Sequence, residues 1–397
     1  MVSAIFLKSI LFVCALLFFD SLSCFIFCIF PLVAFFLFAT PYLGSLFSEK
    51  LLYSLSFLLI YLLLLSSFIS NKVFLFLISV ESLNFFLIYL VLYFSKDYDK
   101  ISSVLFMFSF NIMGSAPFIV FSLSSDSFFI SLDFFRFSSF FLSSFLLFSF
   151  LILALKLPIF LAHVWLTKVH VASLGRISMI LARLILKAGS FGLLKFFSLF
   201  FYCSGVVSQF FSFRLLTLIF FSFFILRFFD LKTLVACSSV SHIALVLPSC
   251  LIKNSLGLFS SALMVVFHGL VSYFLFFLVS LLYEHSLSRS FLLNKSFKKG
   301  SSGLFLSFVF FILLNLGCPP FSGFVCELYL FCIVYYFSLF MSFWFFSYLI
   351  LNSFYFIFLL ILGTFPKRGS GSYFEGKNFA SFLLFVKCSF FIPLLSF

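Results

Sequence analysis

Apolar residues fill long blocks of this chain, and the blocks are parted by short clusters carrying a lysine, an arginine or a helix breaker. A helix that crosses hydrocarbon needs about 20 such residues. Blocks of that order predict spans at Ile5–Phe19, Leu22–Ala39, Leu51–Ile69, Val73–Phe94, Ile101–Leu123, Ser138–Leu166 and Ser173–Phe201. They continue at Leu215–Phe229, Thr233–Ile252, Leu256–Tyr283, Leu304–Tyr335, Ser342–Gly363 and Phe379–Phe397, about 13 in all. The stretch Phe324–Gly363 is the hardest to divide, because no polar loop interrupts it. Met1–Phe19 imitates a signal peptide, with Lys8 ahead of an apolar run, but in a chain built of such runs it reads as a first span.

Assigning the loops alternately to two sides tests the segmentation, since lysine and arginine concentrate on the inner side of a membrane. One side receives Lys50, Lys96, Lys100, Lys168, Arg176, Arg227, Lys232, Arg289, Lys295, Lys298, Lys299, Lys367, Arg368 and Lys377; the other receives Lys72, Arg136, Arg214 and Lys253. Fourteen against four supports the boundaries, places the amino terminus inside and, with an odd number of spans, the carboxyl terminus outside.

Two blocks are too long for one span. Ser138–Leu166 is interrupted at Pro158, just after Lys156, and Leu304–Tyr335 at Gly317-Cys318-Pro319-Pro320, just before Glu327. Proline removes a backbone donor and clashes with the preceding turn, so each block predicts two half-helices with unpaired backbone between them. The interruptions fall five spans apart and so in opposite directions of crossing. That is the mark of an inverted repeat, with matched broken helices at the ion site. The predicted fold is therefore an all-α polytopic bundle, residues 1–397 in one transmembrane domain. Repeat one covers approximately 51–201, repeat two approximately 215–363, and a last helix 379–397.

Charge inside the spans points to chemistry, because it is costly there. Glu81, Lys156, Lys187, His242 and Glu327 form a series of acid, base, base, imidazole and acid, with Glu81 requiring a basic partner. Lysine changes its proton affinity readily when desolvated and histidine titrates near neutrality, so the series suits proton relay. His163 and His268 are supporting candidates, each equally readable as a hydrogen-bonded core histidine. Arg183 and Lys195 read as side chains reaching the interface. A static buried ion pair is the plain alternative for the lysines and glutamates.

Composition agrees and excludes other classes. Hydrophobic residues make up 64% and charged residues 9%, where soluble domains carry about 25% charged. There is no polar stretch long enough for an aqueous nucleotide domain. Ten cysteines lie scattered with no CxxC pair, which gives no support for a zinc or iron–sulfur site. The net charge of +13 sits as single residues between spans, which fits topology rather than nucleic-acid binding.

At these residues a family likeness emerges. LKLPIFLAHVWLTKVHV, SMILARLILKAGSFGLLKF, SSVSHIALVL, HGLVSYFLFFLVSLLYEHSLSR and PPFSGFVCEL resemble, in order, signatures of the mitochondrial NADH dehydrogenase subunit 4 family, the antiporter-like subunits of respiratory complex I. The likeness runs from about Glu81 to Glu327. It implies proton translocation along Lys156, Lys187, His242 and Glu327, with Glu81 pairing with Lys156. Pro158, Pro319 and Pro320 mark the broken helices. It further implies a multi-pass protein of the mitochondrial inner membrane among other membrane-arm subunits, and no cofactor of its own: NADH, FMN, iron–sulfur clusters and ubiquinone would be bound elsewhere in the complex. Departures are Thr167 where the family usually has proline, Ala172-Ser173-Leu174 in place of a Glu-Ala-Pro-like sequence, Arg183 in place of a small residue, and an amino-terminal region one helix shorter. An Mrp-type cation/proton antiporter subunit, or a structural membrane subunit without transport, would share much of this pattern.

Overall fold

The computed structural model describes residues 47–70, 73–95, 97–124, 163–200, 217–251, 255–286, 288–290, 302–319 and 321–364. The predicted spans Ile5–Phe19, Leu22–Ala39 and Phe379–Phe397, together with Lys156, Pro158 and Pro320, lie outside them. The helices are α1 (Phe47–Ile69), α2 (Val73–Phe94), α3 (Lys100–Ser124), α4 (Val164–Ala172) and α5 (Gly175–Phe200). They continue as α6 (Leu231–Leu251), α7 (Ser255–Ser286), α8 (Ser302–Asn315), α9 (Ser322–Phe337) and α10 (Leu339–Thr364). Residues 217–225 are helical as well. Such sequences form helices because a chain shielded from water must satisfy its amides within each segment. Their serines conform: Ser238 Oγ donates to Val235 O at 3.0 Å, and Ser239 Oγ to Ala236 O at 2.7 Å. Among the described residues, Phe74–Phe94, Leu256–Glu284 and Leu339–Ile361 are long and apolar enough to cross a membrane.

The break before Glu327 is present, but its backbone is not left unpaired as the sequence predicts. Gly317 N donates to Leu314 O at 3.1 Å and Cys318 N to Leu313 O at 3.3 Å, with Gly317 at φ +68°. This is a Schellman cap closing α8, with the proline just beyond it. A second correction concerns the end of the span predicted at Ser138–Leu166. The predicted span ends at Leu166, with Thr167 and Lys168 in a loop, whereas α4 runs on to Ala172. Lys168 tolerates the helix because its stem and ammonium lie over the Phe106 ring, 3.8 Å from the centroid. The third correction is the joint in Phe324–Gly363, which is a single residue. Ser338 is extended, closes α9 through its N–H to Val334 O, and its hydroxyl accepts from Met341 N at 3.2 Å to cap α10.

Helix α7 is the axis. Most of its apolar stretch Leu256–Glu284 is buried, whereas most of Leu339–Ile361 in α10 is not. Three clusters surround it: Leu64, Leu87, Trp165 and Leu186; Ala182, Phe274, Phe311 and Tyr355; and Leu194, Leu245, Met264, Leu330 and Tyr348. Within the second, Phe274 and Phe311 stack with centroids 4.4 Å apart.

Candidate functional site

Four helices deliver four polar side chains to the middle of this apolar packing. Lys187 of α5, His268 of α7, His242 of α6 and Glu327 of α9 are all buried. A buried ammonium needs acceptors, and Lys187 Nζ has Ala182 O at 2.8 Å and His268 Nδ1 at 3.1 Å. The reach back to Ala182 follows the tilt of helical side chains toward the N-terminus. Room for the lysine comes from Gly269, where an added Cβ would stand 3.0 Å from Lys187 Cε.

From His268 the series continues. Its ring centroid lies 5.9 Å from that of His242, at an interplanar angle of 32°, and His242 Nδ1 lies 3.9 Å from Glu327 Oε1. That last separation exceeds a direct hydrogen bond, and a small side-chain rotation or one bridging water would close it. Glu327 owes its place to the broken helix. Its carboxylate lies over Gly317, where a Cβ would come within 2.7 Å of Oε2. The cap that ends α8 thus also makes the space the acid fills. The product is a base and an acid with two imidazoles between them, all buried, and neither ring nitrogen of His242 has a hydrogen-bond partner among the described residues.

Of the predicted residues, the structure brings Lys187, His242, His268 and Glu327 together. His268, expected only in support, is the direct partner of Lys187. Glu81, on α2, accepts from Asn84 Nδ2 at 3.3 Å, and its expected pairing with Lys156 falls outside the described residues. The His163 ring stands edge-on to Phe221, 4.4 Å between centroids, at the start of α4. Pro319 lies exposed in the α8–α9 break.

Among the described residues, two buried basic side chains escape the sequence reading. His170 is fully buried in the last turn of α4, stacked on Phe276 at 4.7 Å and 12°. It lies in a segment expected to be loop, although its neighbours Val169 and Val171 were a signal to the contrary. Lys232, expected in a loop, is buried in the first turn of α6.

With this geometry in view, residues 70–353 match the transmembrane family described as NADH:quinone oxidoreductase/Mrp antiporter. The chain belongs to that family. Within the NADH:quinone oxidoreductase/Mrp antiporter family, the chain is 30% identical over 275 residues to the NADH-ubiquinone oxidoreductase chain 4 of Ceratitis capitata. That match covers 68% of this chain and 60% of the relative. The chain of Artemia franciscana with the same name is 32% identical over 230 residues, 58% of each chain. The chain thus spans about 60% of the length of the curated relatives it matches. Among solved structures, a chain of respiratory complex I from Thermus thermophilus with bound NADH superposes with a TM-score of 0.77 at 20% identity, covering 93% of this chain and 80% of that one. At that identity the likeness carries the fold alone: a helical membrane protein of the antiporter-like type.

Proposed function

We propose that this protein is a proton-translocating membrane subunit of NADH:ubiquinone oxidoreductase, seated with other membrane-arm subunits in the mitochondrial inner membrane. The observation that carries this is the buried row Lys187, His268, His242 and Glu327, with Lys187 bonded to His268 and His242 standing between His268 and the acid. In a cycle, the Lys187 ammonium gives a proton to Nδ1 of His268, that ring passes one to His242, and His242 passes one to Glu327. Lys187 is left as the neutral amine, Glu327 as the neutral acid, and both rings unchanged in charge. Two buried charges vanish in the step, and in a low-dielectric interior their removal repays desolvation. Reloading Lys187 from one side and unloading Glu327 to the other completes the transfer. Lys156, paired with Glu81, stands upstream. The wider bundle has about 13 spans in two inverted repeats, and this chain carries no redox centre, electrons passing through other subunits.

The test is the number of protons moved per NADH oxidised in vesicles bearing the assembled complex. Lys187→Met and Glu327→Gln are expected to lower that ratio at normal subunit content; an unchanged ratio in both would reject the relay. The family's other branch gives a second reading, an Mrp-type cation/proton antiporter subunit. Purification from the native membrane decides between them: flavin and iron–sulfur subunits accompany the chain in the first case only. A purely structural subunit predicts an unaltered ratio in Lys156→Met as well.

A further inference from the structure

Helix α4 has nine residues, too few to hold itself, and its last carbonyls have no successors in the helix to bond. Ser173 serves two of them locally, through its N–H to Val169 O at 2.9 Å and its hydroxyl to His170 O at 3.2 Å, while Val171 O, with Ser173 O just beyond the helix, is claimed from elsewhere in the chain. Lys232 Nζ donates to Val171 O at 3.3 Å and also to Ser173 O, from the first turn of α6. Arg289, beyond the end of α7, donates from Nη1 to the same Val171 O at 3.2 Å and from Nη2 to Asp97 Oδ2 at 2.8 Å. The segment holding Arg289 is itself fastened to α6, by Leu231 N to Arg289 O at 3.0 Å and by a bridge between Asp230 and Ser290. Four stretches far apart in sequence meet here. Two cations at the negative end of a helix dipole are placed where that dipole favours them.

We propose that Lys232, Arg289 and Asp97 form a latch that caps α4 from other elements and so positions His170, the residue before Val171, against Phe276. The Arg289–Asp97 pair is about one-third exposed and forms the rim, while Lys232 is buried beneath it. The division of labour follows: the buried lysine supplies the cap, and the outer pair keeps the arginine turned inward. The latch thus sets where the His170 imidazole stands against Phe276 on α7, the helix that also carries His268. Its effect on transport rests on the relay proposed above; the latch itself does not.

Hydrogen–deuterium exchange of the intact complex separates the two. Lys232→Met and Arg289→Gln are expected to speed exchange of the amides from Val171 to Ser178 about tenfold, as loss of a hydrogen bond to a charged group implies. The α7 amides keep their rates, and Lys232→Arg, which keeps a cation with several donors, restores protection. Unchanged exchange in both variants overturns the latch. Faster exchange with an unaltered proton-to-NADH ratio overturns its positioning role. If Lys187→Met also leaves that ratio unaltered, the relay fails while the exchange result stands. Should Lys232→Met and Arg289→Gln not assemble, Asp97→Asn keeps both cations in the chain but weakens the hold that turns Arg289 toward Val171 O. Faster exchange at the same amides then supports the latch, and none overturns it.

Discussion

Two glycines decide whether the acid and the base can occupy their places. At Gly269 an added methyl meets the Lys187 stem at 3.0 Å, and at Gly317 it meets Glu327 Oε2 at 2.7 Å on a backbone already at φ +68°. Gly269→Ala is expected to cost about 1–3 kcal/mol by overpacking and to reduce proton transfer, because the lysine is pushed away from His268. Thermal denaturation of the purified complex and the proton-to-NADH ratio measure the two effects. Gly317→Ala adds about 1–2 kcal/mol of left-handed strain, so it should lower Tm and the proton ratio together. A Tm equal to wild type would mean that the α8 cap relaxes. Lys187 and Glu327 are legible from sequence because charge inside apolar blocks is conspicuous. Gly317 is legible as part of a break but not as the floor beneath Glu327, and neither Gly269 nor His170 stands out, because a small residue and an imidazole among valines look the same whether they shape a site or fill a core.

Among the elements, α7 carries the packing and presents His268 and Phe276 two helical turns apart, toward Lys187 and His170 respectively. Phe276→Ala should cost about 3–5 kcal/mol, the usual result of emptying a core aromatic site. Phe354→Ala, on an outward face of α10, should leave Tm nearly unaltered. Equal shifts in the two would remove α7 from its place as the axis. Helix positions come through well from apolar runs: Val73–Phe94 is predicted and found with the same ends. Joints come through poorly where one residue does all the work. Ser338 both ends α9 and starts α10, and no run of polar residues announces it. Lys232 and Lys168 look alike as loop lysines, yet one is buried on carbonyls and the other rests over a ring. Which carbonyls or rings are nearby is settled by tertiary packing, not by the local sequence.

Across the whole molecule, loops assigned to one side by their basic residues do converge: Asp97 of the 96–100 loop, Val171 and Ser173, Lys232 and Arg289 meet at one end of the bundle. Outward faces of α1, α2 and α10 carry large apolar side chains such as Leu62, Phe85 and Phe354, suited to lipid or neighbouring subunits. The chain should therefore stay in the membrane pellet on alkaline carbonate extraction, and its release would contradict the spans. In the proposed relay the two imidazoles would also set the rhythm of the whole cycle. A ring that receives a proton on one nitrogen and surrenders one from the other ends with its hydrogen on the opposite side. His268, holding Lys187 through Nδ1, is then turned the wrong way for a second delivery until its hydrogen is restored. A relay of this kind would act as a turnstile, admitting one proton for each resetting of two rings. Nitrogen-15 chemical shifts of His242 and His268, recorded in the resting and the working complex, would show whether the turnstile rests in one position.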